Sequence, residues 1–171
     1  IVVLYDWTPE GELAYEWLVR ELGEARVWRA ASLATNVQGL PPSEAQQLAA
    51  WRTARTGPAL IAHPANRTAL LLGGRIPAAD LYPLGDVRAS HVEAVAGRWS
   101  GPPEVEALAA DIGGAAALDA LLDAVMEGRS GERLAAGAAV RELYERGRQS
   151  RLRPRVVPKV GPGTLGIDLF D

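Results

Sequence analysis

The sequence contains no cysteine among its 171 residues. Disulfide bonds, zinc sites with cysteine ligands, iron–sulfur clusters and thiol nucleophiles are therefore excluded. It also has no run of about 18 apolar residues, the length that a helix needs to cross a membrane. We therefore expect no membrane-spanning segment.

A large excess of charge of one sign is also lacking, since 18 Lys and Arg residues against 21 Asp and Glu residues leave a formal net charge of -3. This balance argues against nucleic acid or anionic lipid as the main partner. Residues 141–159 are an exception, because they hold seven basic residues against Glu142 and Glu145. Nucleic-acid binding through this segment is the weaker alternative to a solvated helix end with favourably placed positive charge.

The hydrophobic pattern predicts a single α/β domain over residues 1–171, with 48% hydrophobic residues as is usual for globular proteins. The opening residues Ile1–Leu4 lack the basic residues of a secretion signal and are typical of a buried strand, which favours a cytoplasmic location. We expect three layers: a small parallel sheet with helices on both faces, a helical C-terminal part and a basic tail at 151–171 that contains Pro and Gly. Predicted strands span 1–5, 26–30 and 58–62, and predicted helices span 12–22, 43–55, 68–72, 103–110, 116–127 and 137–150.

A further helix is predicted after Asp86, a good N-cap residue. Its apolar face would carry Val87, His91, Val95 and Trp99. This placement predicts that His91 is packed against the core.

Two turns follow predicted strands, at the sheet edge where α/β proteins bind ligands. The first, Asp6, Trp7, Thr8, Pro9, Glu10 and Gly11, has one glycine, a bulky indole and two carboxylates, so an ordinary turn is the better interpretation than a phosphate cradle. In the second turn, Asn66, Arg67 and Thr68 could hold a phosphate or a ribose hydroxyl. His63 has no carboxylate or nucleophile near it in sequence and is expected to be solvated.

The stretch from Ile76 to Val87 resembles a motif of the NAD synthetase family, Gly-Asp-Gly-Ala-x-Asp-Leu-x-Pro-Ile-Gly-Asp-Leu. Upstream, His63–Ala69 stands where that family has Gly-Thr-Gly-Asn-Lys-Ser-Glu after a strand. The segments 118–128 and 144–159 are similar to later parts of the family in the same order, so the resemblance spans nearly the whole chain. Only 80–86 is specific on its own.

The resemblance implies a chemistry: ATP adenylates nicotinic acid adenine dinucleotide with loss of pyrophosphate, magnesium assists, and ammonia attacks the adenylate near a homodimer interface. It therefore implies a homodimer, a dinucleotide or ATP ligand, and ATP with Mg as cofactors if the chain is active. Glu10 would be the stand-in for the metal-binding carboxylate. The nucleotide-binding residues carried over are Asn66, Arg67, Thr68, Asp80, Asp86 and Arg88.

The chain differs from the family at positions that the family uses for catalysis. The family's Ser-Gly-Gly-x-Asp-Ser loop corresponds to 6–11, where both cradle glycines and the serines are replaced, and a magnesium-binding glutamate aligns with Ala69. Loss of one preorganised electrostatic contact typically costs about 3–4 kcal/mol of transition-state stabilisation. The sequence therefore predicts an NAD synthetase-like protein that keeps the fold but has lost amidation, with a nucleotide-binding or scaffold role. The alternative is an active ammonia-dependent NAD synthetase.

Overall fold

The computed structural model describes residues 1–5, 8–34, 39, 42–73, 79–129 and 135–151. Three short parallel strands, β1 (Val2–Leu4), β2 (Val27–Arg29) and β3 (Leu60–Ala62), form a sheet in the order β2-β1-β3. The central residue of β1, Val3, lies beside Trp28 and Ile61 on its two neighbours. The predicted parallel sheet is therefore confirmed, with each strand shorter than expected.

Eight helices surround and extend this sheet in the described part of the chain, together with one 3-10 turn at Glu24–Arg26. They are α1 (Glu10–Leu22), α2 (Ala30–Ala34), α3 (Pro42–Thr56), α4 (Arg67–Leu72), α5 (Ala89–Ala96), α6 (Pro103–Ile112), α7 (Ala115–Met126) and α8 (Ala135–Arg151). Helix α2 was not predicted, because five residues are too few to display a helical period.

Both faces of the sheet are covered by helices, because successive side chains of a strand point to opposite faces. Val3 packs in one cluster with Ala30 of α2 and Ala50 of α3. Leu4 packs in another with Leu18 of α1. The α/β class with helices on both faces of a small parallel sheet is confirmed.

The C-terminal helices form a third cluster, which we call the helical core; it includes Leu71, Leu72, Val105, Ala109, Leu118, Leu122, Val140 and Leu143. Helix α4 connects it to the sheet, since Leu70 belongs to the cluster around Val3. The helix ends at Gly73, where a Cβ would lie 2.8 Å from Pro102 Cγ and closer still to the Ala69 carbonyl oxygen. Only glycine fits this close approach.

Helix α5 corrects the prediction of Asp86 as a helix cap. The helix begins at Ala89 after Arg88, and Asp86 is exposed in the preceding turn. The first two backbone N–H groups of α5 donate to side chains that are distant in sequence. The Ala89 N–H donates to Thr68 Oγ1 at 3.1 Å, and the Ser90 N–H donates to an Asp119 oxygen at 2.9 Å. A local cap is therefore unnecessary.

The predicted apolar face of α5 is also wrong. Val92 and Ala89 are its buried residues, whereas His91 and Val95 are exposed and Trp99 follows the end of the helix.

Among the residues that the structure describes, no helix combines the length and apolar character required to cross a membrane. The tail at 152–171 lies outside the described residues.

Candidate functional site

The strand order β2-β1-β3 creates a topological switch point between β1 and β3. The connection from β1 leads to β2 on one side, and the next connection leads to β3 on the other side. Ligands of α/β proteins bind at the carboxyl ends of the strands that flank such a switch point. Tyr5 follows β1 and His63 follows β3, and the Tyr5 N–H donates to the Ala62 carbonyl at 2.9 Å. The turns after β1 and β3 therefore begin side by side at this edge of the sheet.

A cluster of three buried rings lies at this edge. The Tyr5 and His63 rings meet edge to face with centroids 5.5 Å apart, and the Tyr82 ring lies 6.0 Å from His63. His63 is 6% exposed, so the prediction of a solvated histidine is wrong. The buried ring is hydrogen-bonded, because its Nδ1 accepts the Ala65 backbone N–H at 3.0 Å.

Burial favours the neutral forms of two of these rings, His63 and Tyr5. Burial lowers the pKa of His63 to about 4. Burial, and secondarily the charges of Tyr82 and Asp80, raise the pKa of Tyr5 to about 12. Near pH 7 the cluster offers an uncharged imidazole and a phenol, and neither is poised for proton transfer.

Glu10, the predicted metal ligand, lies at the start of α1 and is 1% exposed. Its Oε1 accepts hydrogen bonds from the Ser100 backbone N–H at 2.6 Å and from Asn66 Nδ2 at 3.2 Å, while Oε2 accepts the Ser100 hydroxyl at 2.6 Å. Hydrogen-bond donors therefore surround this carboxylate.

The resemblance implies magnesium at this edge, and the residues present do not fit it. Magnesium takes octahedral oxygen ligands. Both oxygens of Glu10 already accept hydrogen bonds, and the described residues contain no group of three or more His, Asp or Glu side chains able to share a metal.

The remainder of the predicted phosphate loop is visible from Thr8 onward, since Asp6 and Trp7 lie outside the described residues. The Thr8 carbonyl accepts the Gly11 N–H at 2.9 Å, which closes the turn into α1. The Thr8 hydroxyl oxygen is buried and has no hydrogen-bond partner in the part of the chain that is described.

Asn66 is fully buried and caps α4. Its Oδ1 accepts the Ala69 N–H at 2.9 Å, and its Nδ2 donates to Glu10 and, at 3.4 Å, to the Ser100 carbonyl. From sequence, Asn66 was a candidate to hold a phosphate or a ribose hydroxyl. In the structure its backbone is in the β region, as is typical of an N-cap residue, and its side chain caps α4.

Arg67, Thr68 and Arg88 are all bound to α7. Asp123 pairs with Arg67 at 3.0 Å and with Arg88 at 2.6 Å, and the Thr68 hydroxyl donates to Asp119. Sequence reasoning missed both aspartates. The available signal was two carboxylates four residues apart on an otherwise apolar helix, which places them on one face.

Asp80 lies along the outer edge of β3. Its Oδ2 accepts the Ile61 N–H at 2.8 Å, and its own N–H donates to the Ile61 carbonyl at 2.8 Å. It thus pairs with an edge strand that would otherwise present free backbone groups. The structure places the six predicted nucleotide-binding residues in separate surroundings. Asn66 contacts Glu10, Asp80 pairs with β3 and Asp86 is exposed in its turn, whereas the other three, Arg67, Thr68 and Arg88, contact the aspartates of α7.

No protein-family model, curated protein or solved structure matches this chain. The resemblance to NAD synthetase therefore rests on the sequence pattern quoted above.

Proposed function

We propose that this protein is an NAD synthetase-like α/β domain that has lost ATP-dependent amidation and acts as a non-catalytic scaffold. One observation carries the proposal: Asp119 and Asp123 of α7 bind the side chains of Arg67, Thr68 and Arg88. These three side chains are half of the predicted nucleotide-binding set.

The cost of freeing these side chains supports this choice. A phosphate that recruited Thr68 would leave the buried carboxylate of Asp119 without its hydroxyl donor. An unsatisfied buried polar group costs about 1–3 kcal/mol. Nucleotide binding would have to overcome this cost. In a scaffold the same contacts stay in place and stabilise the folded chain.

The catalytic alternative is tested by product formation. The purified chain at high concentration is incubated with ATP, magnesium, ammonia and nicotinic acid adenine dinucleotide, and NAD is followed by mass spectrometry. We expect none above the protein-free reaction, while an authentic NAD synthetase run in parallel forms it. Time-dependent NAD formation proportional to protein concentration would overturn the proposal.

The nucleotide-binding alternative is tested by thermal shift. Magnesium ATP and the deamido dinucleotide, each at about a hundredfold excess over a micromolar Kd, would raise Tm by about 5–11 °C for a domain of this size if they bound the folded chain. We expect no shift. A rise that is lost in Thr68→Val would replace the scaffold role by nucleotide binding.

A homodimer and a cytoplasmic location belong to the same proposal, and the resemblance supports the homodimer. Light scattering at micromolar concentration is expected to give twice the chain mass of 18.2 kDa. A mass of one chain at all concentrations would remove the dimer from the proposal without affecting the two ligand tests.

A further inference from the structure

Three hydrogen-bond donors converge on the carboxylate of Glu10. The Ser100 backbone N–H and the Asn66 amide point to one oxygen, and the Ser100 hydroxyl points to the other. Asn66 is itself fully buried and fixed by the Ala69 N–H on its opposite atom. The donors are therefore positioned by the fold.

Charge makes this arrangement unusual. A buried carboxylate is normally paired with a cation, because burial of an isolated charge is costly. Glu10 forms no ion pair with any residue for which the structure gives a position, and its carboxylate accepts three hydrogen bonds at the N-terminus of α1, where negative charge is favoured. Two of these bonds are 2.6 Å long, as charge-assisted bonds are.

The same turn holds a second unusual group. The hydroxyl oxygen of Thr8, two residues before Glu10, is buried without a partner among the described residues. Buried polar atoms are nearly always hydrogen-bonded, so the turn that carries Glu10 also contains a hydroxyl group that the described residues leave unsatisfied.

We propose that Ser100 and Asn66 form an oxyanion-binding site that the chain's own Glu10 carboxylate occupies. The ligand class is a small carboxylate or phosphate group, and Glu10 acts as an autoinhibitory occupant that such a ligand must displace. The site is the opposite of a metal site, because every group directed at it is a hydrogen-bond donor. The inference rests on these contacts and is independent of whether the chain is catalytic.

The test removes the occupant and supplies a substitute. In Glu10→Ala the donors remain and the carboxylate is absent, so about 100 mM sodium formate or acetate should raise Tm. For a Kd of about 10 mM the expected rise is about 3–6 °C beyond that given by sodium chloride at the same ionic strength. A rise with phosphate as well would extend the ligand class to phosphate groups, and a rise with carboxylates alone would restrict it.

Two variants serve as matched controls. Glu12 lies on the same turn of α1 but is 61% exposed on its side chain and paired with Arg29, so Glu12→Ala should respond to formate no more than to chloride. Glu10→Gln fills the site with an uncharged group and should also show no selective response.

The proposal is overturned if Glu10→Ala responds to formate, acetate and phosphate only as it does to chloride. Should Glu10→Ala not fold in buffer, the refolding yield becomes the readout. A severalfold higher yield in formate than in chloride supports the site, and equal yields overturn it.

Discussion

At the residue scale, His63 shows how a polar side chain becomes part of a core. Its ring lies between the Tyr5 and Tyr82 rings, and its Nδ1 accepts the Ala65 N–H. That bond assigns the ring proton to Nε2 in the neutral form. Burial lowers the pKa of His63 to about 4, so the folded protein resists protonation of a residue that the unfolded chain protonates near pH 6.5.

This difference predicts a loss of stability in mild acid. The unfolded state binds more protons than the folded state between pH 6.5 and 4, so the stabilisation is complete above pH 6.5 and falls as pH decreases through this window. We expect the free energy of unfolding in urea to fall by about 2 kcal/mol between pH 7.5 and 5. His63→Asn keeps an acceptor for Ala65 N–H and should be nearly flat over that range. An equal slope in both proteins would contradict the assignment.

At the element scale, helices α4, α5 and α7 are joined by capping groups distant in sequence. Thr68 on α4 accepts the Ala89 N–H and donates to Asp119 on α7, which in turn accepts the Ser90 N–H. The exposed N–H groups of a helix's first turn are usually satisfied by a nearby side chain. In α5 the partners are distant in sequence: Thr68 is 21 residues from Ala89, and Asp119 is 29 residues from Ser90.

The same contacts explain how far the sequence could predict this protein. Apolar strands and helical periods are local signals, and the sheet and most helices were predicted from them. The start of α5 was not, because Asp86 is a good local cap whereas the groups actually used are brought in by tertiary packing. Likewise Arg67 and Thr68 were recognised as candidate ligand-binding residues, but no local signal links them to Asp119 and Asp123, although the spacing of these two aspartates places both on one face of α7.

A double-mutant cycle tests the connection between α4 and α7. Thr68→Val and Asp119→Ala each leave a buried polar group unsatisfied, so each should lower the free energy of unfolding in urea by about 1–3 kcal/mol. Because the two groups share one hydrogen bond, we expect a coupling energy of about 0.5–3 kcal/mol. Thr53→Val is the matched control, since that hydroxyl bonds within its own helix to the Ala49 carbonyl, and it should change stability by less than about 0.5 kcal/mol. Additive effects of the two changes would argue against the shared cap.

At the scale of the whole molecule, α4 determines whether sheet and helical core are independent. Its six residues run between them, with Leu70 packed in the cluster of Val3 and Leu71 and Leu72 packed in the helical core. Because α4 places buried residues in both clusters, it cannot leave one cluster without disturbing the other, and the two parts should unfold together. The prediction of a single domain therefore implies that the sheet and the helical core unfold in one cooperative transition.

Cooperative unfolding can be measured with tryptophans that report on each part. Trp17 packs against the cluster of Leu4, and Trp99 packs against the helical core. Two variants that each retain one of these and carry phenylalanine at the other four tryptophan positions should show the same urea midpoint as their own far-UV circular dichroism. Leu71→Ala removes a fully buried side chain from the helical core and should destabilise both reporters equally, by about 2–5 kcal/mol, whereas Leu60→Ala at an exposed position should change neither by much. If Leu71→Ala lowered the midpoint at Trp99 and left that at Trp17 unchanged, the sheet and the helical core would be separate folding units.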